Sequence, residues 1–317
     1  MRRLLRIAAI LFTTYAATSC LAGKYMCNFA LLPDPHGDDI QADRERINKE
    51  YPGVVDWYDA LHEAGTFRDT TLTGEGGYRL HAVFAPAAEP AKAEGTAVIV
   101  HGYTCNHIVF MYLVKMYRDE LNYNVMVPDL HYHGYSEGRA IQMGWLDRLD
   151  VERFIAMAHD IWGDDFLVVH GVSMGGATTM MVSGDELPPY VRAFVDDCGY
   201  SSVWDQFSHN IKQMFHLPPF PILNSASIVC KRRYGWSFKE ASSVNQLAKC
   251  TRPMLFIHGE KDDFVPTAHV YKNYEAKTQG YKELWIAPGS GHGASYKDHP
   301  EEYLRRVKEF LEKARTM

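Results

Sequence analysis

The sequence predicts an α/β fold in which helices cover both faces of a mostly parallel, doubly wound sheet. First, short apolar runs alternate with helical segments from about residue 65 to the end of the chain. Second, residues 98–100 and 167–169 are continuously apolar, which is typical of central parallel strands. Third, 317 residues with 46% hydrophobic content suffice for one large domain with a modest insertion.

The order of the segments predicts three parts of the chain. Residues 1–24 are expected to be a signal or anchor segment, 25–64 a helical lead-in, and 65–317 the domain itself. Strands and helices that alternate are expected to join through right-handed crossovers. The predicted strands are 79–84, 97–100, 124–128, 166–169, 193–195, 254–257 and 284–286, and the predicted helices are 107–121, 144–161, 175–183, 267–277 and 299–315.

An insertion at about residues 200–250 interrupts this alternation. It is rich in aromatic side chains and contains the proline-rich run Leu-Pro-Pro-Phe-Pro at 217–221. If its apolar side chains lie near the mouth of a pocket, they would bind an acyl or aromatic group. The alternative is that these side chains simply pack against the edge of the sheet.

The strongest chemical signal is a strand-to-helix turn around Ser173. The apolar run 166–169 leads into Gly-Val-Ser-Met-Gly at residues 171–175, and a plausible helix follows. Glycines on both sides of the serine remove the Cβ atoms that would clash in so sharp a turn. The helix N-terminus favours negative charge at this point. Ser173 is therefore the predicted nucleophile of a serine hydrolase.

The loop after the predicted strand 97–100 suggests an oxyanion hole. In folds that carry such a turn, one donor comes from this loop and the other from the residue after the nucleophile. We therefore predict that the backbone N–H groups of Tyr103 and Met174 are the two donors. The alternative is an ordinary loop after a strand.

An acid and a base follow the serine in the order that a catalytic triad of this kind requires. Asp262 follows the predicted strand 254–257, and His292 lies in the glycine-rich loop after the last strand. A base must reach both nucleophile and acid, and the acid fixes the imidazole tautomer. The alternative acids are Asp263 and, after another strand, Asp196 or Asp197.

These motifs together carry a family resemblance. They are His101-Gly102, Pro128-Asp129, residues 133–138, 171–176 and 258–266, and Gly291-His292. On them, the chain from about residue 65 onward resembles bacterial α/β-hydrolases of the serine aminopeptidase-like and esterase-like group. The Asp197-Cys198 pair resembles membrane-anchored members of that group. The resemblance implies the α/β-hydrolase fold with a helical lid after its sixth strand, but it says little about substrate.

One loop departs from the family pattern. Members often read Asp-x-Arg-Gly-His-Gly-x-Ser after the fourth strand, whereas residues 129–136 read Asp-Leu-His-Tyr-His-Gly-Tyr-Ser. The change affects loop packing and leaves the predicted triad intact. His131 and His133 raise the alternative of a metal site, but the sequence offers no clear further ligands. We predict neither a metal nor a cofactor.

The predicted reaction is hydrolysis of a carboxylic ester through an acyl-enzyme. The partner is a small-molecule ester or amide and not a nucleic acid, because the net charge is −6 and no basic stripe is present. The alternatives are an aminopeptidase, amidase or thioesterase on the same triad and, more remotely, a non-catalytic binding protein. Nothing in the sequence places Asp205 or Glu240 where an aminopeptidase would need a carboxylate. The oligomeric state is left open.

The N-terminus predicts attachment to a membrane or export. Three arginines lie in residues 1–6, and residues 7–23 carry no charge. An uncleaved anchor, lipidation of Cys20 and ordinary cleavage all place the domain in the cell envelope, outside the cytoplasm; the alternative is a cytoplasmic protein with an apolar leader. An oxidising compartment would permit a Cys230–Cys250 disulfide, although free thiols fit equally well.

Overall fold

A twisted eight-stranded sheet forms the centre of the described part of the chain. The computed structural model describes residues 18–33 and 39–317. The strand order is β1-β2-β4-β3-β5-β6-β7-β8; β2 pairs antiparallel with both β1 and β4, and all other pairs are parallel. The strands are β1 Arg68–Thr73, β2 Arg79–Ala85, β3 Thr96–Val100, β4 Asn124–Pro128, β5 Leu167–Val172, β6 Val191–Asp197, β7 Met254–Gly259 and β8 Lys282–Ala287. The predicted mostly parallel, doubly wound sheet is confirmed.

Helices cover both faces of the sheet. They are α1 at residues 18–31, α2 Ile40–Glu50, α3 Val54–Glu63, α4 Met111–Lys115, α5 Asp147–Trp162, α6 Met174–Val182, α7 Val203–Phe215, α8 Ile222–Tyr234, α9 Ser243–Leu247, α10 Ala268–Ala276, α11 Ser295–Asp298 and α12 Pro300–Arg315. Short 3-10 turns lie at Glu75–Gly77, Pro90–Lys92 and His107–Phe110, and a π-helical turn at Met116–Glu120 extends α4.

The core lies in two layers, one on each face of the sheet. Every residue of β3 and β5 is buried. Along β3, Val98 and Val100 pack on the face that carries α5, α6 and the insertion, whereas Ala97 and Ile99 pack on the face that carries α4 and α12. This alternation follows from the pleat of a strand, and it explains why a central parallel strand must be apolar on both sides.

The edge strand β1 was not predicted from the sequence. Its six residues, Arg-Asp-Thr-Thr-Leu-Thr, include one apolar side chain, and its residues are exposed or half-buried. It pairs only with β2 at the border of the sheet. An edge strand with a solvated face does not require an apolar run, so the pattern that identified the other seven strands is absent here.

The helix α1 packs into the domain, and the boundary predicted at residue 24 falls inside this helix. Cys27 and Leu31 are fully buried. The Tyr103 hydroxyl donates a hydrogen bond to the Ala30 carbonyl at 3.0 Å, and the Ile141 N–H donates to the Leu31 carbonyl at 3.0 Å. Residues 18–33 are therefore part of the folded domain, which corrects the prediction that the N-terminal segment up to residue 24 lies outside it.

The rest of the predicted signal segment, residues 1–17, lies outside the described residues. No helix within 18–33 or 39–317 is long and apolar enough to span a lipid bilayer. Cys20, the proposed lipidation site, is exposed on α1. The location in the cell envelope stays a prediction.

The helices α7 and α8 occupy the insertion between β6 and β7 that the sequence predicts as a lid. Its aromatic side chains are divided between two environments. Tyr234 and Trp236 are buried away from the cavity, whereas Phe207 and Phe215 line a cavity beside the end of β5. Some aromatic side chains of the insertion thus pack in the core and others line the cavity, and the binding of an acyl or aromatic group by the latter stays a prediction.

None of the six cysteines, all of which lie within the described residues, forms a disulfide. Cys230 of α8 hydrogen-bonds to Cys27 of α1, and this bond lowers the pKa of Cys27. The Cys230–Cys250 disulfide that an oxidising compartment would permit is not formed.

Candidate active site

Ser173 lies on the sharp turn between β5 and α6. Its backbone has φ 60° and ψ −118°, a region that costs a non-glycine residue conformational energy. A Cβ atom on Gly171 would lie 2.0 Å from the Gly175 carbonyl oxygen, and one on Gly175 would lie 2.0 Å from the Val100 carbonyl oxygen. Only glycine fits at either position, so the spacing read from the sequence reflects a close approach of backbones.

The structure brings the three predicted triad residues together. Ser173 Oγ lies 2.8 Å from His292 Nε2, and His292 Nδ1 lies 2.7 Å from Asp262 Oδ2. Asp262 follows β7 and His292 follows β8, so the carboxyl ends of neighbouring parallel strands present both side chains at one edge. With this geometry, the imidazole can accept the serine proton while the carboxylate holds its other nitrogen.

The surroundings of Asp262 keep its carboxyl group ionised. Burial opposes the charge, but hydrogen bonds from His258 and His292 outweigh burial and lower the pKa of Asp262 to about 2. The other oxygen, Oδ1, accepts the N–H groups of Phe264 at 3.1 Å and Val265 at 2.9 Å. His258 Nε2 also lies 3.3 Å from Asp262 Oδ2, a contact with the triad acid that the sequence did not indicate.

The alternative acids have other partners. Asp196 accepts the Gly199 N–H at 3.0 Å, and Asp197 accepts the Tyr303 hydroxyl at 3.0 Å. Burial raises the pKa of Asp196 to about 8 and that of Asp197 to about 6. Asp263 is exposed. Asp262 is thus the carboxylate that contacts His292.

The loop after β3 lies directly against the serine. A Cβ atom on Gly102 would lie 3.5 Å from Ser173 Cβ. Tyr103 and Met174 line the same cavity as Ser173. Met174 is the first residue of α6, where backbone N–H groups have no partner inside the helix. This arrangement is compatible with the two predicted oxyanion donors, whose role stays a prediction.

Histidines after β3 and β4 hold this loop in place. His133 Nε2 accepts the Thr104 N–H at 3.2 Å, and His101 Nε2 accepts the Leu130 N–H at 2.8 Å. Burial lowers the pKa of His133 well below its usual value, which keeps the ring neutral and able to accept. Of the two histidines considered as metal ligands, His133 therefore supports the loop, and His131 Nε2 accepts the Arg139 N–H at 3.3 Å.

A separate buried cluster joins His81, His107 and Asp129. The Nδ1 atoms of both histidines lie 2.7 and 2.9 Å from the Asp129 oxygens, and the spacing of the three would suit a metal ion. The carboxylate also accepts the N–H groups of His107 at 2.8 Å and Tyr135 at 3.1 Å. Since these donors already occupy Asp129, we interpret the cluster as a hydrogen-bonded support beneath the loop.

A cavity of about 460 Å³ opens beside Ser173. Its walls come from α1, α7, α8 and the loops around the triad. The side chains that α1 and α7 contribute include Met26, Phe29, Phe207 and Ile211. Within the described residues, no Asp, Glu, Lys or Arg lines this cavity. The contribution of α1 was not foreseen, because the sequence placed much of that helix in a signal segment.

Comparison with known proteins agrees with this architecture. The model of the prolyl oligopeptidase family matches residues 142–316. The uncharacterised protein YqkD of Bacillus subtilis is 29% identical over 224 residues, which cover 70% of this chain and 73% of YqkD. The esterase Pf2001 of Pyrococcus furiosus superimposes with a TM-score of 0.64 at 20% identity and covers 80% of this chain and 93% of that one.

A peptidase shares the same fold. The acylaminoacyl peptidase of Pyrococcus horikoshii superimposes with a TM-score of 0.55 at 15% identity, over 80% of this chain and 42% of the peptidase chain. The similarity to these solved structures concerns the fold, so the choice of substrate has to be argued from the cavity.

Proposed function

The chain belongs to the prolyl oligopeptidase family, and from that premise we propose that this serine hydrolase cleaves carboxylic esters with an uncharged, apolar acyl group. The observation that carries the proposal is the apolar cavity beside Ser173, which within the described residues contains no charged side chain. Apolar walls stabilise an alkyl or aryl group in proportion to the area that they remove from water.

In the proposed mechanism, His292 Nε2 takes the proton from Ser173 Oγ as the oxygen attacks the ester carbonyl. Asp262 fixes the imidazole tautomer and stabilises the imidazolium. The N–H groups of Tyr103 and Met174 bind the oxyanion of the tetrahedral intermediate. The alcohol leaves with the proton from His292. The same imidazole then activates a water molecule that releases the acid and frees the serine.

An aminopeptidase would need a carboxylate to bind the substrate ammonium group, and the two acids considered for that role are engaged elsewhere. Asp205 accepts the Ser201 hydroxyl at 2.8 Å and pairs with Lys272 at 3.1 Å. Glu240 pairs with Lys231 at 2.8 Å. Neither lines the cavity.

The second candidate is hydrolysis of an amide whose N-terminus is acylated. Such a substrate carries no ammonium group, so the uncharged cavity would also accept it. Its support is the structural similarity to the acylaminoacyl peptidase. Esters are preferred, because the apolar walls offer few groups that could pair with the peptide N–H and C=O groups of a longer substrate.

The test is labelling of the full chain with a fluorophosphonate, read by intact mass, together with turnover of acyl esters of graded length. Wild type should gain one adduct, and Ser173→Ala should gain none and lose turnover by about 10⁶-fold. Ser201→Ala is the matched control, because Ser201 Oγ also contacts a histidine, His269 Nδ1, at 2.9 Å.

Two results would contradict the proposal. Labelling or turnover that survives in Ser173→Ala would remove Ser173 from the mechanism. Faster hydrolysis of acylaminoacyl amides than of the matched acyl esters would replace the ester proposal with the second candidate.

A further inference from the structure

Six large, exposed apolar side chains lie on the two segments that form part of the cavity wall, α1 and the stretch from the end of α7 to the start of α8. Three lie on α1 at intervals of four residues, which places them on one face of the helix. Three more lie at the end of α7 and in the loop before α8. We call these six the apolar rim, and they are 41–69% exposed: Leu21, Tyr25, Phe29, Met214, Leu217 and Phe220. Exposed apolar groups clustered in this way mark an interaction site.

The rim is continuous with the cavity. The rings of Phe29 on α1 and Phe215 on α7 contact each other edge to face, with centroids 5.3 Å apart. The ring of Tyr25 stacks on Phe29, with centroids 6.4 Å apart. Phe29, Met214 and Phe215 also line the cavity beside Ser173. A molecule bound to the rim is therefore at the entrance through which an acyl group would reach the serine.

The two segments that carry the rim have a charge opposite to that of the whole chain. Residues 18–33 and 206–239 contain six lysines and arginines and no Asp or Glu, although the net charge of the chain is −6. Asp34, Asp205 and Glu240 lie just outside these ranges. Lys24 on α1 and Lys212 on α7 are exposed. A cationic border around an apolar surface complements a partner with anionic groups above an apolar interior.

We propose that the apolar rim docks on an anionic lipid surface, so that an acyl ester enters the cavity directly from the lipid. In sequence, the uncharged residues 7–17 follow three arginines and precede the described part of α1. Two copies of the chain meeting at this surface would bring like charges together, which disfavours a dimer there. Docking stands independently of the esterase activity, whereas entry of the ester rests on the proposed function.

The test measures docking without turnover. Hydrogen exchange of the full Ser173→Ala chain is compared with and without phosphatidylcholine vesicles that contain phosphatidylserine. Vesicles should protect amides in residues 18–29 and in 214–220, and added salt or the omission of phosphatidylserine should weaken the protection. Protection at 214–220 separates rim docking from simple attachment through residues 1–17. If vesicles do not protect residues 214–220, the proposal is overturned.

Variants test the rim directly. Leu217→Ser with Phe220→Ser should weaken vesicle binding about tenfold or more, because two large apolar side chains no longer enter the lipid. Ile161→Ser with Tyr271→Ser is the matched control, since these apolar side chains are similarly exposed on α5 and α10. An equal effect of both pairs would contradict rim docking.

Activity and self-association complete the test. When the rim substitutions are made in the catalytically intact protein, hydrolysis of vesicle-borne esters should be lost and hydrolysis of soluble short-chain esters should remain. If wild type hydrolyses neither kind of ester, the esterase proposal is refuted, and docking is then tested by the exchange experiment alone. Sedimentation measures the oligomeric state of both proteins. If wild type is a dimer and the rim variant is a monomer, a second copy of the chain covers the rim and the lipid proposal is wrong.

Discussion

At the residue scale, hydrogen-bond donors decide the charge of a buried carboxyl group. Asp262 and Asp147 are both buried, yet their pKa values move in opposite directions. Asp262 has imidazole and backbone donors, and its pKa falls to about 2. Asp147 Oδ2 accepts only the Gly144 N–H at 2.7 Å, and Oδ1 has no partner among the described residues. Burial therefore raises the pKa of Asp147 to about 8.

This pKa predicts how stability depends on pH. The unfolded chain loses the Asp147 proton near pH 4, whereas the folded protein holds it until about pH 8. The folded state therefore binds more protons in this interval, and its stability falls as the pH rises from about 4 to about 8. Asp147→Asn keeps a neutral acceptor and should remove this component, which we expect to exceed about 1 kcal/mol, the value of one pKa unit.

Urea unfolding at pH 5 and pH 8 measures the effect, as the difference in unfolding free energy between the two pH values. The control is Asp165→Asn, an exposed acid before β5. If Asp147→Asn and wild type lose the same stability between the two pH values, Asp147 is already ionised in the folded protein at pH 5 and its pKa is not raised.

At the element scale, the active site depends on how closely α6 approaches β3. A Cβ atom on Gly175 would lie 2.0 Å from the Val100 carbonyl oxygen and 2.7 Å from that of His101. Backbone atoms at these distances cannot move aside as a flexible side chain would, so the helix must shift.

We therefore expect Gly175→Ala to lower the free energy of unfolding by about 1–3 kcal/mol, the usual cost of overpacking. Because the shift would carry Ser173 away from His292, fluorophosphonate labelling should slow by more than tenfold. Thermal unfolding and labelling rates measure both effects. Gly291→Ala is the control, because a Cβ atom there would meet nothing within 4 Å. Normal labelling of Gly175→Ala would show that the close approach does not position the serine.

The elements that the sequence predicted well are those whose signal is local. The continuous apolar runs of β3 and β5 identify central strands, and glycines beside Ser173 identify a sharp turn. The cluster of His81, His107 and Asp129 could not be found in this way, because its members are 22 to 48 residues apart. Only the pairing of β2 with β4 and the path of the loop after β3 bring them together.

At the scale of the whole molecule, α1 completes the cavity that the rest of the chain leaves open. Its contacts reach Tyr103, Ile141 and Arg233, which are more than 70 residues away in sequence. The composition of residues 1–23 indicated export or anchoring and gave no sign of these contacts. An apolar segment can serve a membrane or a protein interior, and composition alone does not distinguish the two.

Removal of α1 should change the preference for acyl-chain length more than the reactivity of the triad. A chain that begins at residue 34 loses the walls formed by Met26 and Phe29, whereas the triad residues follow β5, β7 and β8. Fluorophosphonate labelling and short-chain ester turnover should persist, while kcat/KM for long-chain esters should fall by about tenfold or more. A chain that begins at residue 18 is the control.

Should the shorter chain fail to fold, Gly23→Val tests the same contact. A Cβ atom on Gly23 would lie 2.4 Å from Ser225 Cβ of α8, so valine should push α1 away from α8. Lys24→Val, at the neighbouring exposed position, controls for the helix propensity of valine. If Gly23→Val, or a truncated chain that folds, hydrolyses long-chain esters as well as wild type, α1 is not a wall of the acyl site, and acyl-chain preference must be set by α7 and α8.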